Sequence, residues 1–507
     1  MWRKLTQVCR RWRHLIHNSS SHLDICLLLT NDSPSIDTLS HLPPLPLVID
    51  YSDSTTAMAR KDEDNVHLGL QQHGRVHRVA LRAPSSSLRT CLEPMDKLFP
   101  RLGDLSLSST TAEEMDLMLP ETFQAPILHR LVLHGVRLPA GLLLLASSIA
   151  LSTLSLTHIG TSSYFPPGHL VAQLQGLPHL EELSIGFAIP IPLPSNEGEL
   201  LHPPIPPVKL PTLRRLTFRG VDIYINNLVA QINTPVLERL NLILFFDLAF
   251  TLVNLSEFIH RTEGFGCLFS RIFFKKDGAF IDAGPHEQRG MEKLSLHVNC
   301  ESLDWQIDSA TLVCEALRKV VFATEELTLD LDVNGMPSVW ENSLDGVLWH
   351  ELLLPFTGVK KLYIGYSLAL ELSRALETVS EELVLELLPE LQELDIQLEI
   401  EHAKVAFSTF VKTRESLGRP IRLLASPIPH RDAEPEVLRR GPEVPRADTE
   451  LPRATPEVHR MDPAAFLNYT DYVGRPYQNQ AMLLINLCRR SIIEQEQSSR
   501  SYDKLRR

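Results

Sequence analysis

The residues whose types and spacing come closest to a binding or reaction site lie in DLDVNGMPSVWE, residues 330–341. Their oxygen-bearing side chains follow the D-x-D-x-N-G-x5-E spacing of a calcium loop, at Asp330, Asp332, Asn334 and Glu341. Such oxygen ligands suit Ca²⁺ chemically. However, the preceding residues alternate like a strand instead of forming an entering helix, and Pro337 lacks a backbone N–H. We therefore expect a strand that runs into an acidic turn, and no metal site.

Other candidate motifs are weaker. His73 and His77 lie four residues apart, but Gly74 stands between them and no Cys or acidic residue follows at ligand spacing. EGFGC (263–267) has two glycines without the strand, third glycine and helix that a phosphate-binding loop requires. The sequence contains no G-x-S-x-G, P-loop or C-x-x-C motif. It therefore predicts neither an enzyme nor a cofactor.

Composition bounds the class of protein. The chain has 507 residues, 44% of them hydrophobic, which suits several domains or one repeat array with a sizeable core. A formal net charge of −13 argues against nucleic acid as a general partner, because duplex binding depends on Lys and Arg. The seven cysteines are scattered, as expected for free thiols in a reducing compartment, and no apolar run reaches the roughly 20 residues of a membrane span. We expect a cytoplasmic or nuclear protein that binds neither nucleic acid nor membrane.

One pattern recurs along the chain: two variable residues separate a first apolar residue from a second, and one separates the second from a third. PILHRLVL (126–133) and PTLRRLTF (211–218) are two of its eleven copies. The interval between the seventh and eighth copies is double, and FSRIFF (269–274) fills it as a degenerate copy centred on Ile272. The central apolar residues of the eleven copies are Val79, Leu105, Leu131, Leu154, Leu183, Leu216, Leu240, Leu294, Leu327, Leu362 and Leu394.

This L-x-x-L-x-L pattern resembles the strand signature of leucine-rich repeats. LHRLVLHGVRL (128–138) and LRRLTFRGVDI (213–223) match it further, with Val136 and Val221 where the family has Asn or Cys. Because side chains alternate along a strand, the second and third apolar residues face inward and the residue between them faces outward. The resemblance implies an irregular α/β solenoid over residues 25–425, a curved parallel sheet with outer helices or loops.

The residue before each central apolar residue also faces outward, and four successive copies in the middle of the array carry a basic residue there. Further basic residues follow along the same strands. Arginine forks match carboxylate and phosphate groups, so we expect a patch that binds an acidic or phosphorylated segment of a protein substrate. The alternative is a solvated edge with acidic residues alongside. The predicted patch consists of Arg215, Arg219, Arg239, Arg271, Lys275 and Lys293.

The N-terminal stretch WRKLTQVCRRWRHLIHNSS (2–20) is basic and contains no acidic residue. On a helix its apolar residues fall at steps of three and four and form one stripe. A mitochondrial transit peptide has a similar pattern. However, LTQVCRRWRHLI (5–16) also resembles the second half of an F-box, and two Trp side chains on the stripe favour packing against a protein. LDICLLLT (23–30) then resembles the strand that often follows an F-box in fungal F-box proteins with leucine-rich repeats.

This resemblance implies the substrate-recognition adaptor of a Skp-cullin-F-box ubiquitin ligase, in which the F-box docks on a Skp-type adaptor and the solenoid selects the substrate. The first half of the motif would precede Met1, so we expect either a truncated gene model or lost docking. The alternative is a stand-alone repeat scaffold without ligase docking. The docking residues that the resemblance implies are Leu5, Val8, Cys9, Trp12, Leu15 and Ile16.

The sequence divides into four regions. Residues 1–24 form the F-box-like helical remnant and residues 25–425 the solenoid. Residues 426–463 are rich in Pro and charge without apolar periodicity, which predicts a disordered linker. Residues 464–507 form a C-terminal tail, in which NQAMLLINLCRRSIIEQEQ (479–497) has the pattern of an amphipathic helix.

Overall fold

The structure is a computed structural model, and the parts of the chain that it describes fall in one compact unit, Met1–His430. The segment 1–24 lies outside the described residues, as do the predicted linker and tail. These regions stay predictions. The structure describes residues 26–30, 45–52, 58–111, 117–138, 143–190, 207–246, 250–262, 265–285, 292–300, 302–332, 346–377, 386–398 and 400–425.

Sixteen of the described strands form a single sheet, which is mostly parallel and does not close into a barrel. Two short strands, β8 and β10, pair with each other in a separate parallel sheet. In chain order the strands are β1 (Leu27–Leu29), β2 (Leu47–Tyr51), β3 (Val76–Ala83), β4 (Asp104–Ser109), β5 (Arg130–His134), β6 (Thr153–Ile159), β7 (Glu182–Phe187), β8 (Val208–Lys209), β9 (Arg215–Gly220), β10 (Ile232–Asn233), β11 (Arg239–Phe245), β12 (Phe269–Lys275), β13 (Gly278–Gly284), β14 (Leu294–Asn299), β15 (Glu326–Leu331), β16 (Lys361–Ile364), β17 (Glu393–Ile396) and β18 (Arg422–Ala425).

Helices connect many of these strands. The described α-helices are α1 (Arg60–Gln71), α2 (Ser85–Leu92), α3 (Leu143–Ser147), α4 (Pro167–Leu174), α5 (Asp222–Ala230), α6 (Val253–Arg261), α7 (Leu303–Ala316), α8 (Arg318–Val321), α9 (Gly346–Leu353), α10 (Tyr366–Glu377), α11 (Ile400–Ala406) and α12 (Ser408–Ser416). Together they make the described unit a mixed α/β structure.

The L-x-x-L-x-L pattern predicts the positions of most strands in the large sheet. All eleven predicted copies coincide with strands of the large sheet, and each central apolar residue is at most 1% exposed. Hydrogen bonding aligns these residues across neighbouring strands, for example Leu131 with Leu154 and Leu154 with Leu183. Burial of one such leucine side chain stabilises the fold by about 1.5–3 kcal/mol. The inward direction predicted for the second and third apolar residues is therefore confirmed.

The helices contribute their apolar residues to the same continuous core. In α6, Leu255, Phe258 and Ile259 recur at helical spacing and are buried. In α1, Asp62 and Glu63 lie in the first turn, where acidic groups are favourable to the helix dipole. The strand residues that alternate with the core residues form the opposite surface of the sheet, which we call the open face.

The middle of the sheet differs from the prediction. FSRIFF is a strand, β12, but it does not lie between β11 and β14: those two pair directly, and the sheet order is β11-β14-β13-β12-β15. The cause is a tight turn at Lys276 and Asp277, after which β13 runs antiparallel to β12. The long interval therefore holds a hairpin instead of one more repeat. Ile272 aligns with Leu329, so it also falls out of line with the central residue Leu327.

No helix in the described part of the chain is long and apolar enough to cross a membrane. The five described cysteines form no disulfide. Burial raises the pKa of the thiols of Cys91, Cys300 and Cys314 to about 12. These thiols therefore stay protonated at neutral pH and act as small core side chains.

Candidate functional site

The predicted site residues fall into two groups. The adaptor-docking residues Leu5, Val8, Cys9, Trp12, Leu15 and Ile16 lie outside the described residues. The six residues of the predicted patch are all described, and each alternates with buried residues and so belongs to the open face. The structure separates these six into different environments.

Charges that precede the central apolar residues form ion pairs between strands. Arg215 pairs with Glu182 on the neighbouring strand β7. Further along the sheet, Lys361 Nζ lies 3.0 Å from Glu326 Oε1. Exposed pairs of this kind contribute about 0–1 kcal/mol each. Arg215 already has a carboxylate partner, so the alternative interpretation, a solvated edge with acidic residues alongside, fits this position.

The prediction that Arg271 stands between Arg239 and Lys293 is wrong. Because β14 lies directly beside β11, Arg239 and Lys293 are neighbours, and Arg271 lies two strands beyond β14. The register places Arg271 opposite Asp282, one row away from the predicted row. Its Nη2 lies 3.2 Å from Asp330 Oδ2, so Arg271 also has a carboxylate partner.

Asp330, the first residue of the calcium-like segment, is engaged in protein contacts. Besides the ion pair with Arg271, its Oδ1 accepts a hydrogen bond of 2.9 Å from the backbone N–H of Leu331. The predicted strand before the acidic turn is confirmed as β15, and residues 333–345 lie outside the described residues. No cluster of three or more potential metal ligands occurs in the part of the chain that the structure describes.

The hairpin and the adjoining strand β14 carry a stack of three rings on the open face, which we call the aromatic platform: Phe273, Phe280 and His297. Phe273 and Phe280 stack at 4.7 Å between centroids, and Phe280 and His297 stack at 3.9 Å. These residues are directly opposite each other on β12, β13 and β14. The Lys275 Nζ lies 5.0 Å from the Phe273 centroid and 4.8 Å from the Phe280 centroid. The platform is therefore half-buried, rigid and positively charged above its ring faces.

Arg219 lies in the same row of the sheet as the platform, two strands from His297. It pairs in register with Ile243, which in turn pairs with His297. Its guanidinium carbon lies 5.6 Å from the Phe245 centroid, and its buried Nε has no hydrogen-bond partner among the described residues. Burial lowers the pKa of Arg219, although an arginine stays charged at neutral pH.

Two histidines lie on the other side of Arg219. His134 and His158 stack at 5.1 Å between centroids, and His134 Nδ1 lies 3.1 Å from Thr157 Oγ1. His158 has a φ of 57°, a left-handed conformation that is uncommon for a residue other than glycine. It sits where the β6–β7 register shifts between Leu156 and Ile159. This irregularity turns an extra ring towards the open face.

Electrostatics link these groups. Burial, together with the smaller effects of the charges of His158, Arg82 and Arg219, lowers the pKa of His134 to about 4. Burial likewise lowers the pKa of His297 to about 4, with contributions from Arg219 and Lys275 and an opposing effect of Asp277. Burial and the Arg219 charge also lower the pKa of His158. Burial, and to a smaller extent the nearby cations, therefore favours the neutral form of all three rings.

Between His158 and Arg219 the row holds a glycine. Gly186 pairs in register with Arg219, and a Cβ placed on it would lie 3.5 Å from Thr157 Cγ2 and 3.7 Å from Arg219 Cβ. These are ordinary van der Waals separations, so a side chain would fit there. Gly186 is buried, and it is the position in the row beside Arg219 that carries no side chain. We call Arg219, His134, His158 and Gly186 the Arg219 cluster.

Sequence reasoning identified Arg219, Lys275 and, among the further basic residues on these strands, His297, but it missed the rest of this arrangement. A signal for the hairpin existed, because Asp-Gly between alternating apolar residues at 277–278 is typical of a tight β-turn. That turn would pair Phe280 with Lys275, whereas the observed turn at Lys276 and Asp277 pairs Phe280 with Phe273. No comparable signal marks the irregularity at His158, which depends on contacts between neighbouring strands.

No protein-family model matches the chain, and no curated protein matches it either. The interpretation of the open face therefore depends on its own geometry.

Proposed function

We propose that the chain is a protein-recognition receptor that binds its partner on the open face of the sheet, as the substrate-recognition adaptor of a Skp-cullin-F-box ubiquitin ligase. The single observation that carries the recognition part is the concentration of aromatic and cationic side chains in one row across β6–β13. Aromatic and arginine side chains in half-buried, rigid positions are typical of the residues that dominate protein interfaces.

The architecture supports this role. Parallel strands in register, separated by helices that fill one core, are the arrangement expected of leucine-rich repeats, and we propose that residues 25–425 form such an irregular solenoid. Each repeat contributes one strand to the open face. Side chains from distant parts of the sequence are thereby held in fixed positions on one surface. A surface of this kind suits binding to an extended or folded protein partner better than catalysis.

The ligase assignment rests on the sequence. The apolar stripe of LTQVCRRWRHLI (5–16) is the feature that resembles an F-box, and in that family it packs against the Skp-type adaptor. The partners proposed are thus a Skp-type adaptor at the N-terminus and a protein substrate on the open face. Ubiquitin transfer would be catalysed by other subunits, with this chain in a positioning role.

Co-purification with a Skp-type adaptor tests the ligase part. We expect the full chain to retain the adaptor, the double variant Val8→Asp/Trp12→Asp to lose it, and the matched variant Arg10→Gln/Arg13→Gln, on the polar side of the stripe, to keep it. If the unaltered chain does not bind the adaptor, the ligase assignment is wrong and the stand-alone scaffold is favoured.

Site-specific photo-crosslinking tests the use of the open face. A photoreactive residue at Thr217, on the open face of β9, should crosslink to the substrate. The same residue at Phe322, which is 61% exposed beside the helices, should not. Crosslinks from position 322 alone would place partner binding on the helical side and contradict the proposal.

A further inference from the structure

We infer that the Arg219 cluster is an anion-binding site that takes a carboxylate or phosphoryl group from an extended segment of the partner protein. The inference rests on the proposed function in that the open face binds a protein. It goes beyond it by naming the chemical group that is recognised and the residues that receive it.

The burial and hydrogen bonding of the Arg219 guanidinium favour an anion at this position. The guanidinium is largely removed from water, and its Nε donates to no acceptor among the described residues. No ion pair joins it to a carboxylate in the described part of the chain. A buried donor without an acceptor is costly, and a charged one more so. An anionic oxygen at this position would satisfy both the donor and the charge.

A further argument is the position of the carboxylates on the same face. Asp330 is bound by Arg271, and Asp282 accepts a hydrogen bond of 2.7 Å from Ser295 Oγ. Burial raises the pKa of Asp282, so its charge is further reduced. Both lie on the hairpin side of the sheet. Glu182, on β7 of the same face, pairs with Arg215, so none of these three carboxylates is paired with Arg219.

Imidazole rings near Arg219 offer additional hydrogen-bond donors. The two histidines of the Arg219 cluster supply these donors, whereas His297 forms a backbone hydrogen bond with Asp277 at the hairpin turn. His134 and His158 are kept neutral partly by Arg219, and a bound anion would offset that effect and favour their protonated forms. Neutral and protonated imidazoles both offer N–H donors to an anionic oxygen.

The row beside Arg219 also has the length to accommodate an extended segment. Gly186 has no side chain, so none stands between the histidine pair and the guanidinium at this position of the row. The row crosses the strands, and from β5 to β14 it spans five strand spacings of about 4.8 Å. A single ion would fill only its centre. An extended peptide with one anionic group at Arg219 would reach from the histidine pair to the platform.

This site differs from the basic row expected from the sequence. Arg215 in that row already has Glu182 as its partner. Arg239 lies at the same level as Arg215, on the next strand, and serves as a matched control because it is an exposed arginine of the same face.

The test measures the binding of three libraries of short fluorescent peptides to the full chain by fluorescence anisotropy. The peptides carry glutamate, phosphoserine or serine at the centre, and uncharged residues are randomised elsewhere. We expect the glutamate or the phosphoserine library, or both, to bind at least about tenfold more tightly than the serine library. The library with the higher affinity identifies the source of the anion. Equal affinity for all three would overturn the inference.

Three variants locate the site. Arg219→Gln should weaken the anionic libraries by about ten- to hundredfold, because it removes charge-assisted hydrogen bonds. Gly186→Leu should give a similar loss by placing a side chain beside Arg219 without changing charge. Arg239→Gln should change binding by less than about threefold. Equal losses from Arg219→Gln and Arg239→Gln would show a diffuse charge effect and contradict the site.

Two controls keep the outcomes separate. Circular dichroism and thermal unfolding report whether each variant folds, and Arg219→Gln decides the matter alone if Gly186→Leu does not. Failure to co-purify the Skp-type adaptor with retained peptide discrimination would overturn only the ligase assignment. Retained adaptor binding without peptide discrimination would overturn only the anion site.

Discussion

The regular stack from β3 to β11 and the hairpin β12–β13 share one interior but have different open faces. In the stack, the outward residue between the two buried apolar residues is small or polar on most strands, as in Ser106, Ser155 and Ser184, and is Val132 on β5. In the hairpin the equivalent surface holds Arg271 and the stacked rings Phe273 and Phe280. The core is therefore determined by the repeat, whereas the two stacked phenylalanines of the aromatic platform arise where the repeat is broken.

Truncation of a buried side chain should lower the free energy of unfolding by similar amounts in the two regions. Leu183→Ala in the stack and Ile281→Ala in the hairpin each remove a side chain that is at most 2% exposed. Each should lower the free energy of unfolding by about 2–5 kcal/mol, through lost burial and a cavity. Urea denaturation of the two variants checks this. A much smaller effect at Ile281 would mean that the hairpin is not part of the core.

Acid should lower the free energy of unfolding through a histidine of the open face. The pKa of His134 is about 4 in the folded chain, below its ordinary value of 6.5, because of burial and the neighbours His158, Arg82 and Arg219. Above pH 6.5 the ring is neutral in both states. Between pH 6.5 and 4 the unfolded state binds the proton more tightly than the folded state does. The free energy of unfolding therefore decreases as the pH is lowered, by on the order of 3 kcal/mol in total. Below about pH 4 this loss is complete.

His134→Gln should remove that contribution and flatten the dependence of stability on pH between 6.5 and 4. His77→Gln, at an exposed position on β3, is the matched substitution that controls for the loss of an imidazole. Chemical denaturation at a series of pH values measures both. An unchanged slope in His134→Gln would show that the ring is accessible to protons in the folded state.

The hairpin should be more sensitive than the stack to a single added methyl group. A Cβ at Gly278 would clash with the Val298 carbonyl oxygen and with the ring of His297, whereas a Cβ at Gly160, after β6, meets nothing within 4 Å. Gly278→Ala should therefore cost about 1–3 kcal/mol, and Gly160→Ala less than about 0.5 kcal/mol. Thermal unfolding compares the two. Equal costs would contradict the close approach of β13 to β14.

The stacked rings should contribute a smaller but measurable amount. Phe280→Leu keeps an apolar side chain but loses stacking with Phe273 and His297, which should cost about 0.5–1.5 kcal/mol. Ser184→Ala, at an outward position of the stack, should be neutral within about 0.5 kcal/mol. Denaturation midpoints of the two variants test the contrast. If Phe280→Leu is also neutral, the platform has no role in stability.

Much of the fold could be predicted from the sequence, and the reasons are physical. The apolar spacing predicted eleven strands, because a parallel array repeats the same burial in each unit. The place of β12 was wrong because periodicity alone cannot distinguish a repeat from a hairpin of similar length. Of the site, Arg219 and Lys275 followed from alternation along a strand. His158 and Gly186 could not be found, since their importance comes from neighbours on other strands.

The hairpin lies beyond β14 and so leaves β14 beside β11, which places His297 of the platform two strands from Arg219. Engineered cysteine pairs test it directly, because a disulfide requires Cα atoms within about 7 Å. Asn241 and Ser295 are opposite each other on adjacent strands, so Asn241→Cys/Ser295→Cys should form a disulfide under mild oxidation, detected by mass spectrometry. Arg271 lies three strands from Asn241, about 14 Å away, and Asn241→Cys/Arg271→Cys should form none. A disulfide in the second pair but not in the first would contradict the strand order and the site built on it.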